Sequence, residues 1–270
     1  MICTIGDLLL DVIVRVDGPV AADTDTYGRS RVAPGGQAAN VAAWVAALGG
    51  QARFVGKRAR DPAGRLLAGE LEARGVELAG PEVEAGTGTV VSLADPDGRR
   101  TMLTDRGVAP ALAPAELDPA WFACETLHVP GYSLTRFPIG DAARAAVGLA
   151  RQAGASVSID LSGTSAIEEL GVTRFRQVLD ELRPDTVFGN EGEFALVGEV
   201  EASTVVVKRG SRGSLVRRDG QDTELAAEPA DVVDTTGAGD AFAAGWLVDG
   251  PALAVTAAAR CVATMGAFPP

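Results

Sequence analysis

The sequence predicts an α/β protein: a three-layer sandwich with a mostly parallel central sheet, helices on both faces and a small β-sheet lid. Two observations carry that expectation. Short β-branched or apolar runs alternate with Ala- and Leu-rich stretches of helical spacing, and alternation of this kind demands crossover connections. The chain of 270 residues is 47% hydrophobic and 22% charged, enough to fill a large core and far from a disordered composition. A third observation adds the lid: two stretches break the rhythm with strict polar–apolar alternation.

In chain order, strands are expected at 3–6 (CTIG), 52–56 (ARFVG), 126–129 (TLHV), 156–160 (SVSID), 186–190 (TVFGN) and 204–208 (TVVVK). Helices are expected at 38–48, 63–74, 140–153 and 173–182. Gly75 and Gly154 stop the second and third, and Pro184 closes the fourth. Residues 12–33 and 87–105 read as antiparallel strands, the second pair turning on Asp-Pro-Asp-Gly. Both stretches leave the main sheet near Gly35-Gly36, so they are expected to form a lid. Neither a linker nor an internal repeat is visible, and residues 1–270 read as a single domain carrying that appendage.

Charge narrows the partners. With 24 lysines and arginines against 36 aspartates and glutamates, the net charge is −12. That argues against nucleic acid or an anionic membrane surface, both of which require clustered basic residues, and favours a small-molecule partner. The start MICTIGDLLLDVIVRV has Asp7 and Asp11 where a signal peptide would be apolar. No uncharged apolar stretch reaches the ~20 residues of a membrane span. A cytoplasmic location is expected. Cys3, Cys124 and Cys261 are too few and too scattered for a disulfide framework or zinc site and read as three buried small hydrophobes. The single histidine, His128, excludes multi-histidine metal centres and reads as a strand-end residue without a chemical role.

Chemistry concentrates in four segments. In DTTGAGDAFAAGWL (234–247), Gly237, Ala238 and Gly239 precede an apolar helix. The free N–H groups and the dipole at such a helix start hold anions, and small residues let a phosphate approach the backbone. Asp240 on the first turn reads either as a helix-dipole acid or as the group that takes a proton from a hydroxyl attacking that anion. In PGGQAANVAAWVAALGG (34–50), Gly35-Gly36 leads into a helix with Asn40 on its first turn, where a cap is the alternative. In NEGEFALVG (190–198), Asn190 and Glu193 lie three apart at a strand end and the next helical turn, placed either for a metal–phosphate cluster or as a solvated helix start. VVVKRGSRGSLV (205–216) reads as a strand, a Gly-containing turn and a strand. There is no G-x-x-x-x-G-K-[ST] P-loop and no G-x-G-x-x-G after the first strand, which disfavours P-loop and nicotinamide folds.

Together and in this order, the four segments resemble the ribokinase-like (PfkB) carbohydrate and nucleoside kinases, from Gly6 to about Gly266. DTTGAGDAFAAG is similar to the C-terminal signature of that family, GGQAANVAA to its N-terminal one, N-x-x-E to its magnesium-linked motif and KRGSRG to its nucleotide strand-turn. The resemblance implies that Asp240 is the catalytic base and that the N–H groups of Gly237, Ala238, Gly239 and Asp240 form an anion hole. It implies that Asp11, Gly35, Gly36 and Asn40 hold substrate hydroxyls, and that Asn190, Lys208 and Gly210 serve ATP. Glu193 would serve Mg2+, while Asp234 and the Thr236 carbonyl would hold K+. Three positions depart from the pattern: Ala59 stands for a glycine, Gln37 stands where ribokinases proper tend to have lysine, and Lys208 stands where many members have threonine.

The expected activity is therefore ATP-dependent phosphorylation of the hydroxymethyl group of a pentose or hexose. A nucleoside of the adenosine or pseudouridine type is the alternative acceptor. A catalytically silent sugar-binding or regulatory protein is the alternative of another class. A sugar-phosphate acceptor would call on Arg99, Arg100 and Arg106 near the lid. Pairing of two copies through the lid, as a homodimer, is a further option.

Overall fold

The alternation in the sequence closes into a nine-stranded sheet in a computed structural model that describes residues 1–95 and 100–270. The elements up to the middle of the chain are β1 (Ile2–Ile5), β2 (Leu9–Val16), β3 (Gly28–Gly35), α1 (Gln37–Ala47), β4 (Ala52–Val55), β5 (Arg58–Ala59), α2 (Pro62–Ala73), β6 (Glu77–Ala79), β7 (Glu82–Val83), β8 (Thr87–Ala94) and β9 (Arg100–Gly107). There follow β10 (Thr126–Pro130), α3 (Ile139–Gln152), β11 (Ser156–Asp160), α4 (Thr164–Leu170), α5 (Val172–Leu182), β12 (Thr186–Asn190) and α6 (Glu191–Val197). The chain ends with β13 (Thr204–Lys208), β14 (Ser214–Arg218), β15 (Gln221–Leu225), α7 (Ala238–Asp249) and α8 (Pro251–Val262).

The large sheet runs β15-β14-β13-β12-β11-β10-β1-β4-β6. All neighbours from β13 to β6 are parallel, and β14 and β15 add an antiparallel edge. Parallel strands are covered on both faces, and here α3 and α5 pack on one face while α1, α2, α7 and α8 pack on the other. Because the chain leaves β1 for β4 on one side and later returns to β10 on the other, the strand order reverses there. Open α/β sheets bind ligands outside the carboxyl ends of their strands at such a reversal. Asp7, Pro130, Asp160, Asn190 and Lys208 stand at or just beyond those ends.

A second sheet, ordered β3-β2-β8-β9, rises beside this edge. It consists of the two expected hairpins, β2/β3 and β8/β9, joined by a parallel pairing with Leu10 opposite Thr89. Its strands reach deeper than 12–33 and 87–105. The first begins at Leu9 because Leu9, Val90 and Ala109 form a small buried cluster of their own. Of the Asp-Pro-Asp-Gly turn after Ala94, Pro96, Asp97 and Gly98 lie outside the described residues, along with Arg99 and the side chain of Arg100.

Two expectations need correction. His128 is not at a strand end but inside β10, 1% exposed, with Nδ1 2.9 Å from Ser158 Oγ. The strand continues to Pro130 before Gly131 turns the chain, and burial drives the imidazole pKa down to about 4. Cys3 and Cys261 are buried free thiols, whereas Cys124, just outside β10, is only half-buried. No helix among the described residues is long and apolar enough to cross a membrane.

Candidate active site

The site begins at the start of α7. Gly237 adopts φ +77°, and a Cβ there would lie 2.5 Å from Ala267 Cβ, so only glycine fits this turn. Asp234 fixes the loop from behind: Oδ1 accepts the Thr236 N–H at 2.8 Å and Oδ2 the Gly266 N–H at 3.0 Å. The Thr236 carbonyl accepts the Cys261 thiol. No side chain caps the helix; the Ala238 N–H reaches back to the Thr235 carbonyl at 3.4 Å, which leaves the Gly239 and Asp240 N–H groups at the positive dipole end.

Asp240 lies on that turn, 6% exposed, with Oδ2 accepting Asn40 Nδ2 at 2.7 Å. The contact depends on α1 and α7 packing side by side, which their many alanines permit. Burial raises the Asp240 pKa to about 7, while the Asn40 hydrogen bond favours its charged form; Asp160 opposes and Lys208 supports that charge. Asp11 from β2 is likewise pushed to about 7, by burial and then by the charges of Asp240 and Asp234.

Further groups close the cleft. A Cβ on Gly35 would lie 2.2 Å from the Asp11 carboxylate, and one on Gly36 (φ +93°) 2.4 Å from the Asp7 carbonyl. Asn190 and Glu193 bind each other: Asn190 Oδ1 accepts the Glu193 N–H at 2.9 Å, and Glu193 accepts both Asn190 N and Nδ2 at 2.8 Å. Burial, followed by the charge of Asp160, raises the Glu193 pKa. Lys208 Nζ donates to Asp160 Oδ2 at 2.5 Å. Gly210 takes φ +59° in the turn after β13.

Of the residues singled out in the sequence, Asp11, Gly36, Asn40, Asn190, Glu193, Lys208, Gly210, Thr236, Gly237, Ala238, Gly239 and Asp240 line one cavity of about 1180 Å3. Gly35 and Asp234 do not line it but support residues that do. Two features of the cavity were not anticipated. Asp160 ends the buried run SVSID, and an acid closing a buried strand was the available signal. Asp7 accepts two hydrogen bonds from Arg106, from Nε at 2.6 Å and from Nη2 at 2.8 Å. Their pairing across 99 positions had no local signal.

The donors suit a hard divalent cation. Magnesium is held by one or two carboxylates plus substrate phosphates, and the buried carboxylate of Glu193, oriented by Asn190, lines the cavity.

A doubly covered parallel sheet, a reversal crevice and an uncapped helix start beside a buried acid are the features that the ribokinase-like resemblance leads one to expect. Comparison with known proteins agrees and is more specific: a profile described as "pfkB family carbohydrate kinase" matches residues 1–251. The chain belongs to this family of ATP-dependent carbohydrate kinases. It is 36% identical over 262 residues to an ATP-dependent ribose-1-phosphate kinase of Halopiger xanaduensis, covering 91% of this chain and 84% of that one. It is 30% identical over 266 residues to a fructokinase of Klebsiella pneumoniae, covering 91% and 83%. The crystal structure of an adenosine kinase from Sinorhizobium meliloti superposes with a TM-score of 0.88 at 26% identity, over 99% of this chain and 95% of that one.

Proposed function

We propose that this kinase transfers the γ-phosphoryl group of ATP to the hydroxymethyl group of a sugar, with Asp240 as general base. One observation carries the reading: a buried carboxylate, oriented by Asn40 at 2.7 Å, sits on the first turn of an uncapped helix in the same cavity as Asp11. The acceptor binds against Asp11, Gly36 and Asn40, with the four-stranded sheet as its lid. The triphosphate lies along Asn190, Lys208 and Gly210, its terminal phosphorus over Gly237, Ala238 and Gly239. As the acceptor oxygen attacks, its proton passes to Asp240, a new O–P bond forms, and the bond to the β,γ-bridging oxygen breaks to release ADP. The N–H groups of the α7 start stabilise charge on the equatorial oxygens. Glu193, oriented by Asn190, would hold Mg2+, which neutralises triphosphate charge. Asp234 and the Thr236 carbonyl are assigned to K+ beside the loop that Asp234 already fixes.

A pKa near 7 suits a base working at neutral pH. The ribose-1-phosphate kinase and fructokinase likeness supports a sugar or sugar-phosphate acceptor. A nucleoside is the second reading, favoured by the apolar wall of Leu9, Val90 and Met102 that could face a base. A silent binding protein loses its support, because the family consists of kinases and the Asp240 constellation is intact. We read residues 1–270 as one kinase domain and retain lid-to-lid pairing as the route to a homodimer.

The test is ADP release with ribose, fructose, ribose 1-phosphate and adenosine as acceptors. Turnover dependent on one sugar supports the reading, adenosine alone transfers it to the nucleoside alternative, and no acceptor-dependent ADP from the panel sinks it.

A further inference from the structure

The nucleotide end of the cavity is acidic. Asp160, Glu193 and Asp240 all line it, each buried. Two cationic side chains line the cavity among the described residues, and one of them, Arg106, is held by both oxygens of Asp7. Lys208 is the other. It ends β13, its side chain is 18% exposed, and the Asp160 side chain it binds is 4% exposed.

Three facts set this pair apart from a structural ion pair. Both members line the cavity. An ammonium has three N–H donors, and the hydrogen bond found for it among the described residues goes to Asp160 alone. The ammonium also lies over the start of α7: a Cβ built on Gly239 would come within 3.0 Å of Nζ. Glycine at 239 therefore keeps open the space between the lysine and the helix end. A phosphoryl group held by those N–H groups would lie within reach of Nζ, at a largely buried ammonium where such a contact is stronger than in water.

We propose that Lys208 is a catalytic residue that donates hydrogen bonds to the phosphoryl group in transit, and that Asp160 is the positioning residue that holds its ammonium over Gly239 when no nucleotide is bound. This rests on the kinase reading above and assigns to a side chain part of the charge stabilisation that the helix start alone would otherwise supply. The lysine stays protonated throughout; its role is to hold charge on the equatorial oxygens while Asp240 takes the acceptor's proton. It contacts the γ-phosphate and neither the α- nor the β-phosphate, so it distinguishes ATP from ADP.

The experiment measures Mg-ATP and Mg-ADP binding by calorimetry to the wild type and to Lys208→Met, Asp160→Asn and the double variant Lys208→Met/Asp160→Asn. The double variant removes both charges, so no buried carboxylate is left unpaired if the single lysine variant folds poorly. ATP affinity should fall roughly tenfold or more in the double variant, the worth of one charged hydrogen bond, while ADP affinity changes less than about threefold. Asp160→Asn alone should keep the wild-type preference for ATP. Turnover of the double variant should fall by about 10²–10³, as for the loss of one preorganised donor. Equal loss of ATP and ADP affinity, or no loss of either, overturns the assignment to Lys208 while leaving a wild type that turns over acceptor as the kinase proposed. A wild type that binds neither nucleotide and turns over no acceptor overturns both readings.

Discussion

The nine-stranded sheet and the four-stranded sheet are built from one chain by opposite rules. In the large sheet the strands are short and buried: all four residues of β1 and the last four of β11 are buried. In the small sheet β2 and β3 run eight residues each, and the first five of β3 are exposed. One is clamped between helices on both faces; the other rests on Leu9, Val90 and Ala109, with the buried Asp7–Arg106 pair and the Arg31 contact to the Met265 carbonyl tying it down. The groups proposed above for the phosphate side, Asp160, Asn190 and Lys208, stand on short clamped strands. Of the groups proposed for the acceptor, Asp11 comes from the small sheet and Asn40 from a helix of the large layer. On the function proposed above, the clamped sheet carries the phosphate side of the site and the less buried sheet the acceptor side, the division of labour that a closing cover requires.

The largest expected effect tests the clamped half. Asp240→Asn should lower kcat by about 10²–10⁴-fold, the usual worth of a general base, while calorimetry finds ATP affinity within a few-fold of wild type. Turnover near the wild-type level would remove Asp240 as the base.

Next comes the tie between the halves. Arg106→Met leaves Asp7 buried without a partner and should cost about 3–5 kcal/mol of stability, read as a lower thermal midpoint. Acceptor KM should rise while ATP affinity holds. Asp7→Asn/Arg106→Met should recover most of the midpoint but not the KM. If ATP and acceptor binding suffer equally, the two sheets are not mechanically distinct.

Asn40→Ala should raise acceptor KM and also lower kcat, by roughly tenfold or more, because Asn40 binds the base itself. In the wild type, a base with a pKa near 7 makes kcat/KM fall as pH drops through about 7, a limb belonging to the Asp240–Asp11 pair. Losing the Asn40 bond, which favours the charged form, should move that limb to higher pH. Stability has the opposite sign. The folded Asp240 binds its proton more tightly than the unfolded one, whose pKa is the ordinary 3.8, so this contribution is full below 3.8 and is lost as pH rises to about 7. Chemical denaturation across that range checks it; a limb that does not move in Asn40→Ala would detach Asn40 from the base.

The smallest effect is expected from the monovalent cation. Asp234 already holds the loop through Thr236 and Gly266, so exchanging potassium for sodium or choline should change kcat only a few-fold. A complete dependence on potassium would mean that the loop is ordered by the cation and not by Asp234.

Local pattern was enough for much of this protein. The crossover rhythm, the helix stops, the two hairpins and the Gly-Ala-Gly helix start were legible because each is written in neighbouring residues: period, turn chemistry and the steric freedom of glycine. Asn40 and Asp240 were both legible as candidates, yet their hydrogen bond, across 200 positions, was not. The parallel pairing of β2 with β8, the pairing of Asp7 with Arg106 and that of Lys208 with Asp160 belong to the same class. Sequence determined which groups the chain carries and which turns and helix ends present them. Tertiary structure decided which groups meet and how deeply they are buried, and burial is what turns an ordinary carboxylate at Asp240 into one poised near neutrality. Desolvation and Coulomb energy depend on distance in space, and distance along the chain does not encode it.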